Sequence, residues 1–579
     1  MIRAEKLSYS FPEKELYNKI SFTIEEGQHC AFIGASGTGK STLANIIMEP
    51  EQYLYDGKLF IDENCRIGYV SQFVQVDKTQ NVTVFEYLSE EFVTLQNQMN
   101  AICKEMETAA EFEELMEQYQ VVLDAFNAID GDNYENNITK KLNLAELSKQ
   151  KDMPVSSLSG GEFKLIQVIK EMLPVPDLLI MDEPDVFLDF GHLNALMNLI
   201  NFHKGTLLVI THNRFLLDHC FNKILHLENK EMQEFDGRYL DYSFSLLQMK
   251  IEKQELAAAD TEEIERNEKL VEQLRKEAAI FTSATRGRAL HARVSFLERL
   301  KAKRIKEPFV EIKQPEIQFS AGGEIEEGNV LEVKDYSISF DEILLEHVTF
   351  EIGAKDKVAL IGPNGSGKTT LLRDIYKHAI ESIIIRENTK AGFVSQLQGE
   401  MLNEANTILD EFLDMGFAAN QDVQKHLEKF GFEEEELYQR IRQLSGGEKN
   451  LLQLAKLSAG EQQLLILDEP TSHLDTYSQA ALEKAINEYD GAVLMVSHDF
   501  YTIANCMDYV LLIEDKNVRR MSIRKFRKMI YANHFNKDYL EIEQKKKNVE
   551  MKIELALKKR DYESAKVLAE DLEKIVKQM

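Results

Sequence analysis

The sequence GASGTGKST, from Gly34 to Thr42, returns later in the chain as GPNGSGKTT, from Gly362 to Thr370. Both stretches match the pattern G-x-x-x-x-G-K-[ST], in which backbone amides surround a triphosphate, the lysine meets its β- and γ-phosphates and the hydroxyl ligates magnesium. A pattern that recurs 328 residues later predicts two related nucleotide-binding domains. The residues expected to hold nucleotide here are Gly34, Ser36, Gly37, Gly39, Lys40, Ser41, Thr42, Gly362, Asn364, Gly365, Gly367, Lys368, Thr369 and Thr370.

The residues around each loop predict an α/β fold. Apolar runs, HCAFIG and KVALIG, indicate strands that lead into the loops, and STLANIIM indicates a helix whose N-terminus faces the phosphates. Phe11 precedes Lys40 by 29 residues, and Phe340 precedes Lys368 by 28. At this position an aromatic ring could stack on an adenine base, or it could be an ordinary core side chain. The sequence leaves both interpretations open.

A glutamine ends a predicted strand in each copy, Gln72 in YVSQ and Gln396 in GFVSQ. A polar amide that recurs at this place favours a ligand for a metal or a water molecule over a surface residue. The motif LSGGE follows at Leu158–Glu162 and again at Leu444–Glu448. Its serine and glycines open a helix and predict a second anion site without a lysine. The residues in question are Ser159, Gly161, Ser445 and Gly447.

Two further apolar strands in each copy end in residues suited to hydrolysis. LLIMDEP and LLILDEP place an aspartate, which can hold magnesium, before a glutamate, which can orient an attacking water. LLVITH and VLMVSH each end in a histidine that can sense the γ-phosphate. The predicted metal ligands are Ser41, Gln72, Asp182, Thr369, Gln396 and Asp468, and the predicted catalytic residues are Glu183, Glu469, His212 and His498.

The order of these motifs resembles the series that defines ATP-binding-cassette nucleotide-binding domains, and the chain is similar to a tandem pair of them. The resemblance implies an α/β fold with two such domains, ATP and Mg²⁺ as ligands, and ATP hydrolysis as the activity. It also implies a head-to-tail sandwich within one monomer, in which each LSGGE closes the other copy's phosphate loop. Site one would then combine Lys40 with Ser445 and Gly447, and site two would combine Lys368 with Ser159 and Gly161.

The two copies differ after the predicted catalytic glutamate. The second copy reads PTSHLD, close to the usual PTNHLD of such tandem proteins, whereas the first reads PDVFLD. Asp189 and Asp475 keep the final acid, but Asp185, Val186 and Phe187 replace small polar residues. We therefore expect ATP binding at both sites and unequal turnover, with site one the slower.

Composition narrows the class of protein. The chain has 579 residues and a net charge of −30, which argues against a general nucleic-acid binder because phosphate contacts need Lys and Arg. Its five cysteines show no C-x-x-C spacing, which disfavours a zinc site and a disulfide framework. The sequence shows no signal peptide and no stretch suited to cross a membrane, so a cytoplasmic location is expected.

Three segments lie outside the two cassette patterns. An insertion near residues 86–130 has apolar residues at helical spacing and predicts a helical hairpin, although an idle surface elaboration remains possible. Residues 241–322 predict a linker of two long helices around the tip FTSATRGRA. Between Arg286 and Lys306 there are eight basic residues against one acid, Glu298, which favours contact with an RNA surface over a merely solvated coiled coil.

Two cassettes joined by such a linker resemble the ABC-F family. The resemblance implies an ATPase that binds the ribosome at the tRNA exit region, with the linker against P-site tRNA and the large-subunit rRNA of the peptidyl-transferase region. Its role would be antibiotic-resistance ribosomal protection or translation regulation, and the RNA-contacting residues would be Arg286, Arg288, His291 and Arg293. Alternatives are the ATPase subunit of a membrane transporter and a DNA-associated tandem protein. The expected domains are 1–240 and 323–530, called here the first copy and the second copy, the linker 241–322 and a helical C-terminal extension 531–579.

Overall fold

A computed structural model describes residues 1–578 except 12–14, 63–64, 73–81, 108–111, 187, 281–292, 300–314, 323–326, 341–342, 379 and 535–538. The chain divides into two compact units. The first combines Met1–Arg238 with Lys313–Met529, and the second combines Tyr239–Ile312 with Ile530–Met579. Both copies of the repeated pattern therefore lie in the first unit.

The first copy contains a three-stranded and a six-stranded sheet. Its strands are β1 (Ile2–Ser10), β2 (Glu15–Ile24), β3 (His29–Ile33), β4 (Asp56–Ile61), β5 (Ile67–Val70), β6 (Leu178–Asp182), β7 (Thr206–Ile210), β8 (Lys223–Glu228) and β9 (Glu231–Asp236). Its helices are α1 (Lys40–Met48), α2 (Val84–Met106), α3 (Phe112–Ala128), α4 (Tyr134–Leu144), α5 (Gly160–Met172), α6 (Phe190–Asn201) and α7 (Arg214–His219). The sheet orders are β2-β1-β4 and β5-β6-β7-β3-β8-β9.

The larger sheet forms because its central strands are mostly apolar. Every residue of β6 and β7 is buried, as expected for parallel strands that are covered on both faces. The smaller sheet is antiparallel and packs against α1 through one apolar cluster that includes Leu7, Tyr17, Leu43 and Phe32. This packing fixes the position of the phosphate loop between β3 and α1.

Two helices occupy the insertion in the first copy. A capping box between Thr83 and Glu86 begins α2, which packs against α3. Phe92 of α2 is buried and stacks on Tyr134 with ring centres 5.0 Å apart. This pairing agrees with the hairpin that helical spacing predicts, while the residues joining the two helices, 108–111, lie outside the described chain.

The second unit begins with α8 (Tyr239–Ile280), a helix of 42 residues. A short helical segment follows at 293–299, and the linker tip between them lies outside the described residues.

The second copy repeats the first. Its strands are β10 (Asn329–Ser339), β11 (Ile343–Gly353), β12 (Lys357–Ile361), β13 (Ile383–Ile385), β14 (Ala391–Val394), β15 (Leu464–Asp468), β16 (Ala492–Val496), β17 (Tyr509–Glu514) and β18 (Asn517–Ser522). Its helices are α9 (Lys368–Lys377), α10 (Ile408–Leu413), α11 (Asn420–Glu428), α12 (Gly446–Ser458), α13 (Thr476–Glu488), α14 (Phe500–Cys506) and α15 (Ile523–His534). Because the sheet orders are β11-β10-β13 and β14-β15-β16-β12-β17-β18, the two copies share one topology. The predicted α/β class with two related domains is confirmed.

Two helices close the chain, α16 (Tyr539–Lys558) and α17 (Tyr562–Val576). They pack on α8 in a cluster that contains Leu240, Ile251, Ile553 and Leu572, and Lys566 forms an ion pair with Glu255 at 2.5 Å. The linker helix and the C-terminal extension thus share a core. Within the described part of the chain, no helix combines the length and apolarity that a membrane crossing requires.

Candidate functional site

Four of the sequence motifs meet at one edge of each larger sheet. Strands β5, β6, β7 and β3 are neighbours and run parallel, so their carboxyl ends lie side by side. Gln72 follows β5, Asp182 ends β6, His212 follows β7 and the phosphate loop follows β3. The same holds for β14, β15, β16 and β12 in the second copy. The fold therefore gathers residues that are distant in sequence around each loop.

Both phosphate loops are shaped around a buried lysine. Lys40 Nζ donates to the carbonyls of Gly34 (3.0 Å) and Ala35 (2.9 Å), and Lys368 Nζ donates to those of Gly362 and Pro363 (2.8 Å each). Burial lowers the pKa of both ammonium groups. Gly39 and Gly367, which precede the helices, have φ of 97° and 90°, a conformation that glycine adopts without strain. These contacts occupy two of the three donors of each lysine.

Each LSGGE motif lies against the phosphate loop of the other copy. A Cβ added at Gly447 would be 2.6 Å from Ser36 Oγ, and one added at Gly161 would be 3.3 Å from Asn364 Nδ2. The aspartates that end PDVFLD and PTSHLD also contact the phosphate loop of the other copy. Ser36 N donates to Asp475 (3.4 Å), and Asn364 N donates to Asp189 (3.3 Å). The structure thus brings together the residues of each composite site.

The two LSGGE serines cap their own helices. Ser159 Oγ accepts a hydrogen bond from Glu162 N, and Ser445 Oγ accepts one from Glu448 N. In each case the glutamate carboxylate accepts a hydrogen bond from the backbone N–H of the serine. These capping boxes fix the first turns of α5 and α12 and so hold the glycines in place.

Each predicted metal pair is adjacent in space. Asp182 lies beside the Ser41 hydroxyl, and Asp468 lies beside the Thr369 hydroxyl. Burial raises the pKa of Asp182, and burial together with the neighbouring Glu469 raises that of Asp468 to about 7. Within the described chain, the buried Asp182 Oδ1 accepts no hydrogen bond. A buried carboxylate oxygen beside a hydroxyl is a suitable ligand for a divalent cation.

The carboxylate of Glu183 is held partly by the opposite copy. Gln72 Nε2 donates to Glu183 Oε2 at 2.5 Å, and His473 Nδ1 lies 3.0 Å from the same oxygen. His473 belongs to PTSHLD of the second copy. Burial by itself would raise the pKa of Glu183, but the bond from His473 and the nearby cations lower it to about 2. Glu183 is therefore a carboxylate whose orientation depends on both copies.

The carboxylate of Glu469 is held within its own copy. The His498 amide donates to Glu469 Oε2 (3.2 Å), and His498 Nε2 lies 3.3 Å from Glu469 Oε1. Burial raises the pKa of Glu469 to about 7. Phe187, which replaces His473 in the corresponding loop, lies outside the described residues.

The two predicted switch histidines are buried and favour the neutral form. Burial and repulsion from the loop lysines lower the pKa of His212 to about 4 and that of His498 to about 3. Both histidines line a cavity between the copies that also borders Glu183, Glu469 and His473. Both carboxylates therefore face one shared space.

A cluster of charges next to this cavity joins the copies. Arg214 of the first copy donates to Asp499 at 2.8 Å and to Glu483, and its guanidinium lies 5.0 Å from the ring centre of Tyr501. Tyr501 in turn donates to Asp218 of the first copy at 2.9 Å. Sequence reasoning did not single out Arg214, Tyr501 or Asp218, and it marked PTSHLD without predicting a partner for His473, because only the crossing of the two copies gives these residues their partners.

Both phenylalanines proposed for the adenine are accessible. Phe11 is 47% exposed and packs edge to face on Tyr9, with ring centres 5.3 Å apart, and Phe340 is 69% exposed. The alternative of a packed core side chain is therefore wrong for both. Of the predicted RNA-contacting residues, Arg286, Arg288 and His291 lie outside the described chain, while Arg293 lies with its guanidinium 5.3 Å from the Phe296 ring centre.

Comparison with known proteins agrees with this geometry. The sequence model described as ABC transporter matches residues 17–186 and 345–472. The chain is 30% identical over 523 residues to the uncharacterized ABC transporter ATP-binding protein YfmM of Bacillus subtilis, spanning 86% of this chain and 96% of YfmM. It is 29% identical over 527 residues to ABC transporter F family member 2 of Arabidopsis thaliana, spanning 89% of this chain and 76% of that protein. The chain belongs to the ABC-F family.

Other similarities extend over the same length. The ABC-F chain is 27% identical over 518 residues to the energy-dependent translational throttle protein EttA of Escherichia coli K12, spanning 87% of this chain and 90% of EttA. Its fold is similar to archaeal ABCE1, described as a ribosome recycling factor, in a complex with the stalk protein aP1. That match has a TM-score of 0.55 and 17% identity, and it covers 91% of this chain and 92% of ABCE1.

The ABC-F chain is an ATPase, and the residues present suit its substrate. Each loop lysine lies inside its phosphate loop, and the opposing LSGGE glycine lies against that loop. When bound, magnesium would neutralise charge on the β- and γ-phosphates, and Ser41 with Asp182, or Thr369 with Asp468, would hold it.

Proposed function

We propose that this ABC-F protein binds the ribosome at the tRNA exit region in its ATP-bound, closed state and remodels the P-site tRNA and peptidyl-transferase region. Hydrolysis of ATP then releases it. The observation that carries this proposal is similarity to the translational throttle protein EttA along nearly the whole of both chains. The action is regulation of translation or ribosomal protection against antibiotics, in the cytoplasm, and the protein acts as a monomer.

The proposal assigns roles to the site residues. Lys40 and Lys368 hold the phosphates, the LSGGE glycines close each nucleotide, and Glu183 and Glu469 serve as bases. Phe11 and Phe340 stack on the adenines, for which their exposed rings are suited. Mg²⁺ completes each site through the Ser or Thr, Gln and Asp ligands named above. Bound ATP joins the phosphate loop of one copy to the LSGGE motif of the other and so closes the copies. Because the closed state is the one that binds the ribosome, ribosome binding depends on ATP.

The linker supplies the contact with RNA. Arg286, Arg288, His291 and Arg293 follow the 42-residue helix α8 in the sequence. A local excess of basic residues in a chain of net charge −30 favours a phosphate-rich partner. The tip would contact large-subunit rRNA and P-site tRNA.

Ribosome sedimentation tests the proposal. The double variant Glu183→Gln with Glu469→Gln keeps ATP binding but slows hydrolysis, so it is expected to pellet with ribosomes when ATP is present. The control adds Lys40→Ala and Lys368→Ala, which weaken phosphate binding and should abolish pelleting. Equal pelleting with and without ATP would contradict the gating by nucleotide. Failure to pellet under any nucleotide would favour a transporter subunit or a DNA-associated protein.

Charge reversal tests the linker. Replacing Arg286, Arg288 and Arg293 with glutamate is expected to abolish the effect on translation while ATP binding persists. The matched control reverses three exposed basic residues of α8: Arg266, Lys269 and Arg275. If the tip variant still affects translation as the unaltered protein does, the tip has no part in the mechanism. If the tip variant and the α8 control lose the effect equally, the loss is a general effect of charge.

A further inference from the structure

The loop that follows each catalytic glutamate reaches the site of the opposite copy. Asp475 accepts a hydrogen bond from Ser36 N of site one, and Asp189 accepts one from Asn364 N of site two. The sequence PDVFLD was expected to alter site one, in its own copy, but its final residue contacts site two. PTSHLD, with His473, correspondingly lies at site one.

We propose that His473 is a positioning residue for ATP hydrolysis in site one, where it holds Glu183 from the opposite copy. The proposal needs only the ATPase activity and is independent of any ribosome. It goes beyond the general role of the glutamate, because it says which side chain aligns that carboxylate and from where.

The contact is specific in geometry. His473 Nδ1 lies 3.0 Å from Glu183 Oε2, and both side chains are largely buried, with 11% and 16% of their surfaces exposed. Gln72 Nε2 donates to the same oxygen from within the first copy. One oxygen thus contacts one nitrogen from each copy, and Glu183 has its full set of partners only when the copies are closed.

The backbone conformation of His473 also supports a functional role for this contact. His473 has φ of 61°, in the left-handed region that a non-glycine residue adopts at some cost. Its carbonyl accepts a hydrogen bond from Ser36 Oγ of the opposite phosphate loop at 3.3 Å. The same residue therefore contacts the phosphate loop with its backbone and the base with its ring, and both contacts belong to site one.

Site two uses a different arrangement. Glu469 is contacted by the amide and the ring of His498, which belongs to its own copy. The residue that corresponds to His473 is Phe187, whose side chain has no nitrogen to donate. Alignment of the base therefore depends on closure in site one and on a neighbour within the copy in site two.

The first test isolates site one in a Glu469→Gln background. His473→Ala is expected to lower kcat for ATP about tenfold, because misalignment of a base slows proton transfer without removing binding contacts. The dissociation constant of a fluorescent ATP analogue should change by less than about twofold. His473→Asn keeps a donor near the Nδ1 position and should restore most of kcat. Loss of affinity equal to the loss of kcat, or no rescue by Asn, would overturn the proposal.

The matched control is His378→Ala. His378 is also a histidine with positive φ, 50°, but it is exposed at the end of α9. Its replacement changes backbone strain in the same way and should leave kcat unchanged. An equal fall in kcat would show that the effect of His473→Ala is one of strain.

A double-mutant cycle tests whether His473 acts through Glu183. In the Glu469→Gln background, which silences site two, the variant Glu183→Gln with His473→Ala is expected to hydrolyse ATP at the residual rate of Glu183→Gln, since both changes act on the same carboxylate. A further fall of tenfold would mean that His473 acts on something other than Glu183, and the proposal would be wrong.

Discussion

Site one and site two are built from the same motifs in the same order, yet the carboxylates that we propose as their bases have different neighbours. Glu183 contacts His473 of the opposite copy, and its pKa is lowered to about 2. Glu469 contacts His498 of its own copy, and burial raises its pKa to about 7. The comparison shows that the repeated motif determines where each glutamate lies. The loop of the opposite copy, PTSHLD or PDVFLD, determines whether a second copy contacts its carboxylate.

The contact between the copies offers the largest test of this comparison. Arg214→Ala leaves Glu483 and Asp499 buried without their cation, and loss of one partner from a buried pair costs about 3–5 kcal/mol. We expect a fall of that size in the free energy of unfolding of the first unit, measured by chemical denaturation. The control is Lys230→Ala, which breaks an ion pair to Glu15 that is about half exposed and should cost about 0–1 kcal/mol. Equal losses of unfolding free energy in the two variants would mean that the Arg214 ion pairs contribute no more than an exposed pair.

Single replacements of the bases measure how far the sites differ. Glu183→Gln and Glu469→Gln should each slow the altered site about a hundredfold or more, so that steady-state phosphate release reports the other site. Because site one has the additional contact from His473, we expect Glu469→Gln to retain the larger share of activity. The reverse ranking would restore the expectation from PDVFLD that site one is the slower.

The two LSGGE motifs provide a matched pair of glycines. A Cβ at Gly447 would lie 2.6 Å from the His473 carbonyl oxygen, which is backbone, whereas one at Gly161 would lie 3.1 Å from the ring of His192, which is a side chain. We expect Gly447→Ala to reduce ATP turnover about tenfold and Gly161→Ala about twofold, since only the first forces a backbone shift. Gly160→Ala, with open space around its Cβ, is the control. Equal losses in the first two variants would contradict the difference in fit.

The smallest expected effect concerns Asp185, which stands where the second copy has Thr471. Asp185 accepts a hydrogen bond from Thr211 at 2.7 Å, and burial raises its pKa to about 6. A raised carboxyl pKa means that the folded state binds the proton more tightly, so stability falls as pH rises from about 4 to 6. Asp185→Asn should therefore stabilise the protein at pH 7.

The expected gain is about 1–2 kcal/mol, below the roughly 3 kcal/mol of a full two-unit shift, because an amide only approximates the contacts of a protonated carboxyl group. The gain should vanish below pH 4, where both side chains are neutral. Thermal unfolding at pH 7 and pH 3.5 measures the difference, and a gain that persists at the lower pH would exclude the protonation mechanism.

Much of the fold and of each site could be predicted from short stretches. Gly34–Thr42 and Gly362–Thr370 predicted the loops, and the apolar runs before Asp182 and Asp468 predicted buried parallel strands, because these features depend on neighbouring residues. The role of Phe11 could not be settled in this way, since exposure depends on what packs against the ring. PTSHLD marked the segment of His473 but not its partner, and Arg214 gave no signal, because the partners of these two residues lie 290 and 269 residues away.

The sequence by itself determined two ATP-binding cassettes, their motifs and the residues that gather at the edge of each sheet, because strand order and loop chemistry are local consequences of the chain. Only the tertiary structure decided which loop faces which site. The crossing brings PTSHLD to Glu183 and PDVFLD to the phosphate loop of site two, and so gives the two carboxylates different partners. Packing between distant segments determines those contacts, and the pattern of residues within either copy does not predict them.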